Sequence, residues 1–271
     1  MTDLADYYGA GYAEFASDLY AAIRAEAFGE DIGQHSWLTA MEHDGFIEWL
    51  DVDAGSRLLD VACGSGGPTL RIASRSGCRV HGVDIEAAAV RSAIQQAEGA
   101  GLAARARFDA CDAGEQLPFS DQQFDALICV DAVTHLPDRA RVFRDWARVL
   151  RPGGRLVFTD AVTITGVLSD EEIRVRASIG NLFFAPPGLD EELLATAGFE
   201  VDRIEDRTEN VATTAARRRS ARAVREADLR RLEGDATFEG QQEFLAMATK
   251  LAVERRLSRF VFRCVRRRPD A

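Results

Sequence analysis

Four aspartates lie at the ends of short apolar runs in the first half of the chain, and each could do a different piece of ligand chemistry. The first run reads Leu58-Leu59-Asp60-Val61-Ala62-Cys63-Gly64-Ser65-Gly66. Gly64 and Gly66 let a ligand approach the backbone where a side chain would block it. Asp60, four positions before Gly64, would repel a pyrophosphate but suits an ammonium group. Asp84 closes His81-Gly82-Val83-Asp84-Ile85, 24 positions after Asp60, and can accept both hydroxyls of a ribose. Asp112, in Asp109-Ala110-Cys111-Asp112-Ala113, can accept from an adenine amino group or sit as an ordinary turn aspartate. Asp131 and His135, in Val130-Asp131-Ala132-Val133-Thr134-His135, are four apart and so share one face of a helical turn. An imidazole that titrates near neutrality can take the proton of an amine or hydroxyl. The other reading packs His135 against Pro137 as a structural contact.

Positioning these side chains requires strands that end together. Apolar runs at 57–63, 79–83, 106–111, 124–130 and 154–160 alternate with helical patterns at 68–76, 86–99 and 139–150. Such alternation implies βαβ units, hence a parallel sheet covered on both faces. Pro68 opens the first of these helices, where its missing N–H costs nothing. In a doubly wound sheet the glycine turn then falls at the carboxyl edge, where ligands bind. Before this core, a stripe of Tyr12, Phe15, Leu19, Ile23 and Ala27 predicts one helix running to about Phe28, and a second is expected over 37–50. After Asp160 the rhythm breaks: helices are expected at 170–179, 190–197, 213–232 and 238–255, with strands at 199–207 and 258–265.

Taken in register over roughly residues 50–160, Asp-Val-Ala-Cys-Gly-Ser-Gly, the later Val-Asp-Ile, the Asp-Ala after the third strand and Leu150-Arg151-Pro152-Gly153-Gly154 resemble the motif series of the class I S-adenosylmethionine-dependent methyltransferases. The family pattern prefers glycine where Ala62 stands. By this resemblance Asp60, Gly64 and Gly66 would hold the methionine end of S-adenosyl-L-methionine, Asp84 and Ile85 the ribose, and Asp112 and Ala113 the adenine. Ala62 and Val130 would complete the cofactor wall. Phe28-Gly29-Glu30-Asp31-Ile32 and Asp131-Ala132-Val133-Thr134-His135 are also similar to segments of the phosphoethanolamine and glycine-sarcosine-dimethylglycine N-methyltransferases. Cap residues Tyr12, Tyr20, His35 and Trp37 read mostly as core packing, although a tyrosine hydroxyl near the methyl group is common in the resembled family.

Composition narrows the function classes. With 33 basic and 44 acidic residues the net charge is −11, which argues against a phosphate backbone as partner. The arginine runs Arg217-Arg218-Arg219 and Arg266-Arg267-Arg268 read as solvated surface. Five scattered cysteines, none in C-x-x-C spacing, indicate neither a zinc site nor a disulfide framework. No apolar run is long enough to span a bilayer, and the acidic start Met1-Thr2-Asp3-Leu4-Ala5-Asp6 is unlike a secretory signal. A cytoplasmic location is expected.

The expected architecture is a doubly wound α/β sheet of seven mostly parallel strands, the last antiparallel. Residues 1–50 would form a helical cap, 51–160 the cofactor-binding core, 161–198 a lid, and 199–271 the completion of the sheet with a helical insertion. The expected function is methyl transfer to a small-molecule acceptor, an amine nitrogen first and a hydroxyl oxygen as the alternative, with Asp131 and His135 carrying the chemistry. A nicotinamide oxidoreductase is disfavoured by Thr69 and Asp60 in the turn; a cofactor-binding module without activity stays open, as does an oligomer. Asp131 and Asp160 could pair as oxygen ligands, but without a convincing third ligand no metal is expected.

Overall fold

In the computed structural model, residues 15, 17–180 and 182–268 are described. Two helices come first, α1 (Asp18–Phe28) and α2 (Ala40–Leu50). The core follows as β1 (Arg57–Val61), α3 (Gly67–Ser76), β2 (Arg79–Asp84), α4 (Ala87–Gly99), β3 (Ala106–Ala110), β4 (Phe124–Cys129), α5 (Arg139–Val149) and β5 (Leu150–Ile164). The remainder is α6 (Asp170–Arg176), α7 (Leu189–Ala197), β6 (Phe199–Asp206), α8 (Thr208–Val224), α9 (Glu226–Glu233), α10 (Asp235–Val253) and β7 (Leu257–Arg266).

The described strands form one seven-stranded sheet in the order β3-β2-β1-β4-β5-β7-β6. Neighbours from β3 to β5 pair in parallel, whereas β7 pairs antiparallel with both β5 and β6. The expected fold class and the antiparallel last strand are thus what the chain adopts. The parallel strands are nearly continuous apolar runs because helices cover both faces. On one face, Val142, Phe143, Trp146 and Val149 of α5 bury against Leu127, Phe158 and Phe262, and the Phe158 and Phe262 rings stack 4.7 Å apart. On the other, Leu58, Val80, Ala126 and Val157 meet Leu70 and Ile72 of α3, Val90 and Ala93 of α4, and Phe46 of α2. A separate cluster beyond β5 joins Trp37 and Ala161 to Val211 and Ala215 of α8 and Phe244, Leu245 and Ala248 of α10.

Several boundaries depart from expectation. The helix predicted at 213–232 is two helices meeting at Arg225, with φ −110° and ψ 24°. The break turns Leu229 into a small core with Ile23, Ala221 and Phe238, which an unbroken helix could not reach. The helix predicted from 37 starts at Ala40, because the Thr39 side chain accepts from Glu42 N and caps it. Helix α1 starts at Asp18 behind the cap Ser17; Tyr12 lies outside the described residues.

Candidate active site

The carboxyl ends of β1, β2 and β4 open onto a cavity of about 550 Å³, within the range of small-molecule sites. Asp60, Ala62, Gly64, Asp84, Ile85, Asp112, Ala113, Val130, Asp131 and His135 all line it. Gly66 does not. It has φ 82°, and a Cβ there would lie 2.7 Å from the Ala93 Cβ and 3.1 Å from the Phe108 ring. Its glycine is therefore required by the turn and by helix packing rather than by ligand contact. Ala62 also has a positive φ, 60°, which costs a residue bearing a Cβ about 1–2 kcal/mol and gives the glycine preference at that position a backbone reason.

Asp84 is held rigidly. One oxygen accepts from Gly64 N at 2.8 Å and the other from Glu86 N at 2.9 Å, leaving each oxygen a further lone pair toward the cavity. Burial nevertheless raises its pKa. Asp60 accepts from the Thr69 hydroxyl. Burial, with Asp84 adding to it against the Thr69 bond, pushes the Asp60 pKa up to about 7. A cationic group bound beside it would restore the charged form. Asp112 makes the local turn bond to Gly114 N, 2.8 Å, and lines the cavity with its neighbour Ala113. Ile85 is 65% exposed, an apolar ledge at the rim.

Asp131 is held by three donors. Thr159 Oγ1 and Arg259 Nε each donate to its Oδ1 at 2.7 Å, and Trp37 N donates to its Oδ2 at 2.9 Å. The fully buried Arg259 also donates to Glu42 on α2 at 2.7 Å, and Arg207 lies 3.9 Å from the same Glu42 oxygen. Asp131 and Glu42 thus share the Arg259 guanidinium, and the cluster ties α2, β7 and the loop after β4 together. The Arg259 pair offsets the Asp131 charge at the cavity wall. The proposed Asp131–Asp160 pair does not form either. Asp160 turns away to Arg139, 2.6 Å, and to Val162 N, 2.9 Å.

His135 ends a short 3₁₀ helix, Val133–His135. It lines both the large cavity and an adjoining chamber of about 60 Å³, as do His35, Ser36 and Asp131. Sequence reasoning missed several residues here. Gln34 and Ser36 reach the cavity from the loop before α2, and His43 lines it from α2 itself. Burial and the nearby Arg71 lower the His43 pKa to about 4. Neither of its ring nitrogens has a protein partner, an orphaned polar group of the kind that a ligand or water satisfies. Arg176 and Arg218 line the small chamber. Arg218 comes from the run read as solvated, of which only Arg217 and Arg219 are exposed. Tyr20 is remote from the cavity and bonds Glu233 at 2.8 Å.

Comparison with known proteins gives this geometry relatives. A family model described as a methyltransferase domain matches residues 59–158. The 27-O-demethylrifamycin SV methyltransferase of Amycolatopsis mediterranei is 35% identical over 212 residues, 73% of this chain and 75% of that protein. Methyltransferase GfsG of Streptomyces halstedii is 42% identical over 123 residues, 45% of this chain but only 44% of its own length. Among solved structures, a Haemonchus contortus phosphoethanolamine N-methyltransferase in complex with S-adenosylhomocysteine aligns with TM-score 0.80 at 20% identity, over 99% of this chain and 61% of that one. Further relatives are named as O-, sterol C- and N-methyltransferases, and a [4+2]-cyclase shares the fold. The relatives therefore do not fix the acceptor atom.

Proposed function

Because this chain belongs to the class I S-adenosylmethionine-dependent methyltransferase family, we propose that it methylates a hydroxyl oxygen of a small metabolite. The cavity fits the cofactor: a close-approach turn at Gly64, a buried carboxylate at Asp60 for an ammonium, and Asp84 with lone pairs for ribose hydroxyls. When bound, S-adenosylmethionine supplies an electrophilic methyl group on a sulfonium. The chain's own task is alignment of the acceptor for in-line displacement and exclusion of water. His135, at the junction of cavity and chamber, is assigned the proton of the acceptor hydroxyl.

One observation carries the preference for oxygen over nitrogen. Among the described residues lining the small chamber, Asp131 is the sole carboxylate, and its Oδ1 is already paired with the buried Arg259. A cationic amine gains nothing from such walls. The similarity, over 73% of this chain, to an enzyme named for a 27-O-demethyl substrate supports the same choice.

Release of S-adenosylhomocysteine, followed over a panel of hydroxylated and amino acceptors, tests the reading. Hydroxylated compounds should turn over and His135→Ala should slow them by roughly 100-fold, with cofactor affinity nearly unchanged, as for a lost general base. Turnover of amines alone would return the assignment to nitrogen. Parental rates for the His135 variant across pH 6–9 would move proton removal to another group.

A further inference from the structure

A buried imidazole stands at the cofactor cavity without a hydrogen-bond partner. His43 is 0% exposed, borders the large cavity and not the small chamber, and neither of its ring nitrogens is bonded. A polar ring left so has given up its bonds to water for nothing in return. Burial, with Arg71 close by, holds its pKa at about 4. Near neutral pH the ring therefore carries one N–H and one lone pair.

The fold places this ring on the Asp60 side of the sheet. Helix α2 ends at Leu50 and β1 starts at Arg57, and both elements span roughly 16 Å. The first turn of α2, which holds His43, therefore lies at the carboxyl edge. Phe46, three residues on and on the same side of α2, packs with Leu58 of β1 and with Ala126 and Ile128 of β4. Asp60 follows Leu58 by two positions and so points to that same face, with Ile128 beside it in the sheet. His43 and Asp60 each stand a step nearer the carboxyl edge than these apolar contacts, and both border the cavity.

An amino-acid tail brings an ammonium and a carboxylate to one place. Asp60 suits the ammonium, but the carboxylate needs a donor. In the glycine turn, Cys63 N bonds the Val83 carbonyl, Gly64 N bonds Asp84, and Gly66 N bonds the Cys63 carbonyl. The Ser65 and Thr69 hydroxyls donate to the Gly33 carbonyl and to Asp60. These donors are engaged; the His43 N–H is not. We propose that His43 donates this N–H to the carboxylate of the cofactor's methionine tail and so makes the chain selective for the intact amino acid. This rests on the cofactor reading above and adds to it a residue outside the glycine turn and the strand ends. A neutral donor suits the place, because it meets a carboxylate without adding a cation that would repel the ammonium beside Asp60.

The test uses the full chain and three ligands: S-adenosylhomocysteine, its decarboxylated analogue (aminopropylthio-adenosine) and its deaminated analogue (carboxypropylthio-adenosine). Affinities are read by isothermal titration calorimetry. His43→Leu should weaken S-adenosylhomocysteine and the deaminated analogue by about tenfold or more, the loss expected of a hydrogen bond to a charged group. It should leave the decarboxylated analogue within about twofold of the parent. His43→Gln, whose amide can donate, should retain more of the affinity than His43→Leu. The same contact is read without any variant by nitrogen NMR of the His43 ring in the parent protein. S-adenosylhomocysteine and the deaminated analogue should each fix one tautomer, and the decarboxylated analogue should not. Equal losses for all three ligands in His43→Leu, parental affinity of that variant for S-adenosylhomocysteine, or a ring that responds alike to all three ligands would each overturn the proposal and leave the cofactor site standing. Failure of the parent to bind S-adenosylhomocysteine at all would overturn the cofactor reading itself, and the proposal with it.

Discussion

Asp84 carries three jobs on two oxygens, and its replacement separates them. Its oxygens hold the Gly64 and Glu86 amides and turn their remaining lone pairs to the cavity. Asp84→Ala should weaken S-adenosylhomocysteine binding by about 1.5–3 kcal/mol, the range of a charge-assisted hydrogen bond. Asp84→Asn keeps one acceptor and should fall between. Calorimetry giving all three proteins the same affinity would remove the ribose role. Asp84 was legible in the sequence because its position, at the end of the second strand after a glycine turn, has few other uses. Asp131 was legible only as a cavity residue. Its partners Arg259, Thr159 and Trp37 come from β7, β5 and the loop before α2, and no local pattern announces a contact across 128 residues. The same distance hid Arg176 and Arg218.

Among the elements, the parallel strands and their helices were readable because each repeats a local period and ends in recognisable turn chemistry. The loop that enters the site before α2 was not readable, since its shape is set by contact rather than by propensity. That contact is unusually close at the start of α3: a Cβ on Gly67 would lie 2.1 Å from the Ile32 carbonyl oxygen. Both sides are backbone, so neither can yield by a rotamer change. Gly67→Ala should therefore displace the loop bearing Gln34, His35 and Ser36 while the sheet stays folded. Expected outcomes are at least a tenfold loss of cofactor affinity and an unchanged far-ultraviolet circular dichroism spectrum. Gly99→Ala, where an added Cβ meets nothing within 4 Å, is the matched control. A Gly67→Ala protein that binds S-adenosylhomocysteine as the parent does would show that this loop is no part of the cofactor site.

For the whole molecule, placing acids in the ligand site and beneath the segment that follows β5 has a consequence for stability. That segment is fastened by Arg139, which bonds Asp160, Asp190 and the Phe183 carbonyl. Two buried aspartates share this one guanidinium, and burial together with Asp160 raises the Asp190 pKa. Asp60 is raised as well, to about 7 against an ordinary 3.8. Between those two pH values the folded chain keeps a proton that the unfolded chain has released, so stability falls as pH rises. The loss is complete above about pH 7, where Asp60 is ionised in both states. The chain without cofactor should therefore be less stable at pH 8 than at pH 5.5, with both aspartates contributing in the same direction. Asp60→Asn should flatten part of that slope. Saturating S-adenosylhomocysteine should also flatten it, because its ammonium favours the ionised carboxylate. Binding near pH 6 should accordingly release a proton, seen as a calorimetric enthalpy that varies with the ionisation enthalpy of the buffer. If urea midpoints across this range are the same for parent and Asp60→Asn, with and without ligand, Asp60 is not the acid that meets the cofactor's cationic end.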